Sequence, residues 1–304
     1  MLTRWLISVP VYGERYVDEF CAATLPALKR ATARLAETHD VDIRLVVHTD
    51  QPDHIRGMNL VHGGPQPRTV VECRPVPAGA SGLACMSQAH REVIHNGMLG
   101  DVVVLLTAGA VISEDGLKYC ADVLANRQIK AVLCAVPRVL AQGIIPDTGD
   151  AAKFMEWAWE NRHPLTSECT WPLGKSSDLS RAFFVRDDVV VTRMTLPHPL
   201  AVRIDGRVLR FEPTIDANLN LCFDPSEMHM TPNCKELAVV KLTPADKGYA
   251  LDAISMEKRV SGELVLVANG HQRWCLSHQV RLCGHNDPMD CGDAYFVSML
   301  SGKR

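Results

Sequence analysis

Asp101-Val102-Val103-Val104-Leu105-Leu106 is the most hydrophobic run in the chain, and Thr107-Ala108-Gly109 follows it at once. A short unbroken apolar run is the pattern of a strand buried on both faces, not of one with a wet side. It therefore belongs near the centre of its sheet. Runs of similar character flank it in sequence: Arg4 to Val11, Asp42 to His48 and Arg68 to Cys73 before it, Lys130 to Val136 after it. Helical stretches separate them, at Val17 to Glu37, Gly82 to Met98 and Glu114 to Asn126. In the first of these, Phe20, Cys21, Leu25, Leu28 and Leu35 fall on one side, and Pro26 is where a kink is expected. This alternation predicts an α/β fold: a mostly parallel central sheet with helices on both faces, related to the Rossmann arrangement.

After Pro137 the rhythm changes. A segment rich in Pro, Gly, Trp and charge runs to about Arg181. Ala182 to Val191 and Leu200 to Phe211 read as strands of another character, with charged turns at Arg186-Asp187-Asp188 and at Asp205-Gly206, the latter a hairpin signal. A helix near Ala245 to Met256 and a strand at Glu263 to Val267 complete a mixed C-terminal extension. The expected division is 1–137 for the nucleotide-binding half and 138–304 for the acceptor-side half and extension, packed as one unit.

The 304 residues are 47% hydrophobic, enough for one large core. The net charge of -3 is spread over mixed signs, and no basic stripe of the kind that binds nucleic acid is present. Pro10 ends the first apolar run too early for a signal peptide, and no later stretch is long enough for a membrane span. The 11 cysteines are odd in number and without framework spacing, and several, such as Cys134 and Cys222, lie in apolar runs. That is the usage of reduced, buried thiols, and a cytoplasmic location is the expectation. Cys275, His278, Cys283, His285 and Cys291 are zinc-ligand types without paired ligand spacing, so ordinary buried Cys and surface His are the better reading.

In a parallel sheet, ligands sit at the carboxyl ends of the strands. The residues there are Val9-Pro10-Val11-Tyr12-Gly13-Glu14, His48-Thr49-Asp50 and Thr107-Ala108-Gly109. Gly13 allows a sharp turn and close backbone approach. Tyr12 offers a ring to a base, and the Asp50 carboxylate can accept from a base N–H or a ribose hydroxyl, or cap the turn before Pro52. Ala78-Gly79-Ala80-Ser81-Gly82 leads into a helix with small residues, as a backbone anion pocket does, or with Ser81 as a simple cap. It is not a Walker loop, and no G-x-G-x-x-G follows the first strand, which argues against a dinucleotide-dependent dehydrogenase.

Strand-Pro-x-Tyr-Gly-Glu, Asp after the second strand, a small-residue loop before a helix, then Val102 to Ser113: in this arrangement the chain resembles the nucleotide-binding half of a GT-A glycosyltransferase over residues 4–136. Ala182-Phe-Phe-Val-Arg-Asp-Asp188 is similar to the strand after that family's acceptor region. The resemblance implies a transferase, hexosyl or related, with a nucleotide-sugar donor as substrate and Pro10, Tyr12, Glu14 and Asp50 around the nucleoside. Ser81, Thr107 and Gly109 complete the expected donor-side set. The family's Asp-x-Asp, which holds a divalent metal against the donor diphosphate, is absent: Thr107-Ala108-Gly109 stands in its place, and Asp101 is at the wrong end of the strand. No metal ligand is therefore assigned. Either a cation among Arg138, Lys175, Arg181 and Arg203 stabilises the leaving diphosphate, or another carboxylate has taken over, or catalysis is lost.

Asp216, in an apolar setting after Pro213, is the first candidate for a general base, and His198 the second. Glu156 and Glu160 beside Trp157 and Trp159 match a sugar platform but match an amphipathic helix with core Trp better. His229 and His271 read as structural. A catalytically inactive GT-A-like binding or scaffold module is the alternative function. A nucleotidyltransferase is a third reading, weakened because it too needs metal-binding carboxylates. Acceptor, sugar and oligomeric state are not legible.

Overall fold

The computed structural model describes residues 3–57, 69–76, 82–141, 145–168, 170–171, 175–176, 181–186, 189–194, 197–210, 216–245, 254–255 and 270–283. Four strands set the frame: β1 (Thr3–Val11), β2 (Val41–Thr49), β3 (Thr69–Pro75) and β4 (Val102–Leu105). They belong to a seven-stranded sheet in the order Met228–Met230, Ala131–Cys134, His198–Arg203, β4, β1, β2, β3. β4 is the middle strand and all four of its residues are buried, as its composition requires. β1 pairs in parallel with β2 and β4, and β2 with β3, whereas His198–Arg203 enters antiparallel to β4. The expected mostly parallel α/β sheet flanked by helices is the observed fold class.

Both faces of the sheet are covered because both sets of alternating side chains are apolar. From Trp5 to Val11, β1 is buried without a break. Ser8 on β1 and His48 on β2 point to the helix Gly82–His95, bonding His90 and Glu92 at 2.8 and 3.1 Å. Helix Leu25–Thr38 packs on Gly116–Ala125 and against β2. Each fully buried Ile, Leu or Phe of these layers contributes about 1.5–3 kcal/mol by leaving water.

The expected kink at Pro26 takes the form of a π-helical turn. Glu14–Glu19 is α-helical, Phe20–Thr24 is π, and Leu25–Thr38 is α-helical again with Pro26 in its first turn. Leu25 N–H reaches back five residues to the Phe20 carbonyl. The wider turn accommodates a proline that has no N–H to donate.

The chain forms two compact units, 1–133 with 198–229, and 134–197 with 230–304. In the second, Arg181–Arg186 and Val189–Met194 pair antiparallel on either side of the charged Asp187-Asp188, which lie outside the described residues. The other turn signal corrects differently. The strand expected to run from Leu200 to Phe211 ends at Arg203, and Asp205 caps a helix, Gly206–Arg210, accepting from Arg207 N and Val208 N at 2.8 and 3.1 Å. Asp-Gly suits a hairpin, but Asp is equally a helix cap. Ile254–Ser255 is extended and pairs with Lys175–Ser176, so the helix expected near Ala245 to Met256 does not reach its end. Glu263 to Val267 lies outside the described residues.

Candidate functional site

β1 has β2 and β3 on one side and β4 on the other, so the carboxyl ends of β1 and β4 flank a switch in strand order. A crevice opens at such a point because the following loops turn to opposite faces. The last paired residues of β1 and β4 are Ser8 and Leu105, and Leu106 N–H then donates to the Ser8 carbonyl at 3.0 Å. Beyond that the strands part. Pro10, two residues on, directs its nitrogen to the side β4 has left, which is why a residue without an N–H is tolerated inside a central strand.

Gly13 follows in a conformation with φ +85°, ψ 138°, which L side chains rarely adopt. This turn aims its N–H across to β2, where both oxygens of the Asp50 carboxylate accept it, at 3.2 and 3.0 Å. Asp50 is exposed, and a carboxylate that accepts one shared N–H retains lone pairs for other donors. Tyr12 is half-buried, and its hydroxyl donates to the Gly82 carbonyl at 2.6 Å. Burial, then the nearby Cys85 and Tyr16, push the Tyr12 phenol up, which keeps its proton in that bond. Cys85 is buried one turn into the same helix, its thiol raised by burial and then by Asp50. Glu14 is exposed at the first helical position. Pro10, Tyr12, Glu14 and Asp50 thus lie on adjoining strand ends of one unit. Ser81 lies outside the described residues.

After β4 the chain turns sharply, with Ala110 N–H donating to the Thr107 carbonyl at 2.9 Å. Ala108 and Gly109 are buried and Thr107 is half-exposed. The Thr24 hydroxyl, brought round by the π turn, donates to the Ala108 carbonyl. The turn is closed by hydrogen bonds and contains no carboxylate. Among the described residues no group of three or more His, Cys, Asp or Glu is placed to hold a metal ion. The residues at this strand end do not fit a divalent cation.

The antiparallel entry of His198–Arg203 puts its two ends to opposite uses. His198 arrives beside the carboxyl end of β4, where Nε2 donates to the Leu105 carbonyl at 2.7 Å. Because a carbonyl oxygen can only accept, that bond places a proton on Nε2. Arg203 arrives at the opposite end, paired with Val102, its guanidinium donating to the carbonyls of Gly100 and Leu124 at 3.3 and 2.6 Å. It is removed from the set of candidate cations. Asp216 opens the 3-10 helix Asp216–Cys222, which packs on the strand that His198 begins. The side chains of Asp216, Lys175 and Arg181 lie outside the described ones.

Several side chains serve packing. Trp157 stacks on Phe154, and Trp159 packs against buried Phe183 with Arg162 over its ring at 4.7 Å, the amphipathic-helix reading of that segment. Asp150 caps that helix, and Tyr119 bonds His229 at 2.8 Å. Burial pushes the Cys275 thiol up to about 12, an inert thiol. His285 and Cys291 lie outside the described residues.

A network that sequence reasoning missed lies just before Asp50 in the chain. His48, two residues earlier, is fully buried and donates from Nε2 to Glu92, which also accepts from Arg74 at 2.7 Å; Arg74 in turn grips Glu72. His48 Nδ1 has no hydrogen-bond partner among the described residues. Burial holds the His48 pKa below its usual value, with Arg74 acting the same way and Glu92 and Glu72 opposing. The unfolded chain therefore takes up a proton near pH 6.5 that the native state refuses until lower pH, so stability falls as pH drops through that window. His271, also lowered by burial, adds to it. His48→Gln keeps a donor for Glu92 and removes one titration. Its unfolding free energy, from urea melts at about pH 5.5 and about pH 7.5, is expected to change less with pH than the wild type's, by up to about 1.4 kcal/mol per pH unit. An unchanged slope would mean that His48 already protonates like an exposed histidine.

No family model matches the chain. No curated protein matches it. Among solved structures, it is similar to TarS of S. aureus, 14% identical over 91% of this chain and 42% of that one, TM-score 0.39. It is similar to TarS 1–349 in complex with UDP-GlcNAc, 12% identical over 91% of this chain and 71% of that one, TM-score 0.40. An active-site mutant of LgtC is 11% identical over 43% of this chain and 45% of that one, TM-score 0.29. These neighbours are glycosyltransferases. The chain thus spans under half the length of full TarS. No helix among the described residues is long and apolar enough to cross a membrane.

Proposed function

We propose that this protein binds a nucleotide sugar at the carboxyl ends of β1, β2 and β4 and transfers the sugar to an acceptor hydroxyl without a divalent cation. The observation that carries this reading is the Asp50 carboxylate held on the Gly13 N–H beside Tyr12, at the switch in strand order. Tyr12 supplies a ring for the base, and Asp50 has acceptor capacity for a base N–H or ribose hydroxyl. The Thr107-Ala108-Gly109 turn, closed by Thr24, supplies no metal ligand, so positive charge at the leaving diphosphate has to come from side chains. For an inverting transfer the acceptor hydroxyl needs a base: Asp216 is one candidate and His198 the other.

The same closed turn favours a second reading, a binding module that holds the nucleotide and does not turn over. One titration series separates them from each other and from failure of both. Calorimetry with UDP, GDP, CMP and dTDP, each with Mn²⁺ and with chelator, is expected to show binding of one nucleotide that survives chelation. Slow hydrolysis of the matching nucleotide sugar then marks a transferase, and its absence, with binding intact, the module. If His198 or Asp216 is the base, His198→Gln or Asp216→Asn keeps binding and loses turnover. Binding that requires Mn²⁺ contradicts the metal-independent site, and no binding at all removes the donor site itself.

A further inference from the structure

The end of the first unit opposite the candidate donor site carries the most exposed large apolar pair among the described residues. Met98 and Leu99 are 62% and 70% exposed, in the turn between helix Gly82–His95 and β4. Their exposure is built in. A Cβ on Gly97 would stand 2.3 Å from Ile204 Cδ1, so the chain passes tightly over the end of the His198–Arg203 strand and turns Met98 and Leu99 outward. Gly100, at φ +92°, then reverses the chain into β4. Four hydrogen bonds hold this shape: Gly97 N to the Ile94 carbonyl at 3.0 Å, Met98 N to Asp101 Oδ2 at 2.7 Å, Gly100 N to the Ile204 carbonyl at 2.9 Å, and the Arg203 guanidinium to the Gly100 carbonyl. An apolar tip on a rigid frame cannot fold back to bury itself.

The charge named around the tip has a positive excess. Asp101 pairs with Arg4, and Asp205 and Glu227 share Arg207, which leaves one negative charge against the three cations that follow. Arg127, Lys130 and Arg203 have no ion pair among the described residues, and Arg203, half-buried behind the tip, has Arg127 as its charged neighbour. Apolar residues projecting past a basic collar match the two layers of an anionic bilayer surface: acyl chains for Met98 and Leu99, lipid phosphates for the cations.

We infer that the Gly97–Gly100 turn, with Arg127, Lys130 and Arg203 around it, is a docking point for an anionic lipid surface. This inference is independent of the sugar-transfer reading, since it concerns the other end of the sheet. The test is sedimentation of the full chain with phosphatidylcholine vesicles, with and without about 30% phosphatidylglycerol. Expected is binding to the anionic vesicles that salt weakens. The double variant Met98→Ser with Leu99→Ser should lose at least about tenfold in partitioning, through the apolar area withdrawn, with an unchanged thermal melt. Arg127→Glu with Lys130→Glu should remove the preference for phosphatidylglycerol. No vesicle binding by the wild type overturns the inference, as does binding that the serine variants leave intact. A wild-type dimer that they dissolve, without vesicle binding, assigns the tip to a second copy of the chain and overturns it too.

Discussion

Asp50→Ala should abolish nucleotide binding while leaving the fold standing. The side chain is exposed and buries nothing, and the Gly13 N–H it releases is itself partly open to water, so the loss in stability should stay near 1 kcal/mol. The loss in binding is larger for two reasons. A hydrogen bond to a charged acceptor is worth about 1.5–3 kcal/mol, or roughly 10–100-fold in Kd. The turn that carries Tyr12 also loses its tether to β2. Asp50→Asn separates these effects: its Oδ1 can still accept from Gly13, but its amide presents hydrogen where a ligand N–H would donate. Calorimetry with the nucleotide that binds wild type should find Asn nearly as poor as Ala, with a thermal melt closer to wild type. Asn binding as well as Asp would reduce Asp50 to a clamp on the turn, and the base contact would have to lie elsewhere.

What could be read in the sequence follows from how local the determining physics is. The parallel strands were legible because burial on both faces leaves short unbroken apolar runs, and β4 took the central place its composition demands. Asp50 was legible as a residue type at a strand end. Its partner was not, because the Gly13 N–H is 37 residues away and its direction is set by a backbone angle. Thr24 carries no signal: in sequence it is one polar residue inside a helix, and only the π turn beside Pro26 brings it to Ala108, 84 residues on. His198 and Arg203 show what strand direction adds. Five residues apart, they reach opposite ends of the sheet, and only the antiparallel pairing with β4 says which end holds the candidate base. Asp205-Gly206 was misread because the same carboxylate that starts a tight turn also caps a helix.

Gly13→Ala should be the most damaging small substitution in the candidate site, through conformation alone. There is room for the methyl group: a Cβ at Gly13 would meet nothing closer than Tyr16 Cδ2 at 4.0 Å. The cost lies in φ +85° with ψ 138°, a region that glycine occupies freely and alanine does not. Holding alanine there costs about 1–3 kcal/mol. Relaxing to negative φ turns the N–H away from Asp50 and moves the residues on either side, Tyr12 and Glu14. Strain kept would appear as a lower denaturation midpoint with nucleotide affinity retained. Strain released would appear as near-normal stability with affinity lost, as in Asp50→Ala. In the second case adding Asp50→Ala to Gly13→Ala should change little further, because both remove the same contact. Wild-type stability together with wild-type affinity would show that the turn does not depend on glycine, and that the Gly13–Asp50 bond does not shape the site.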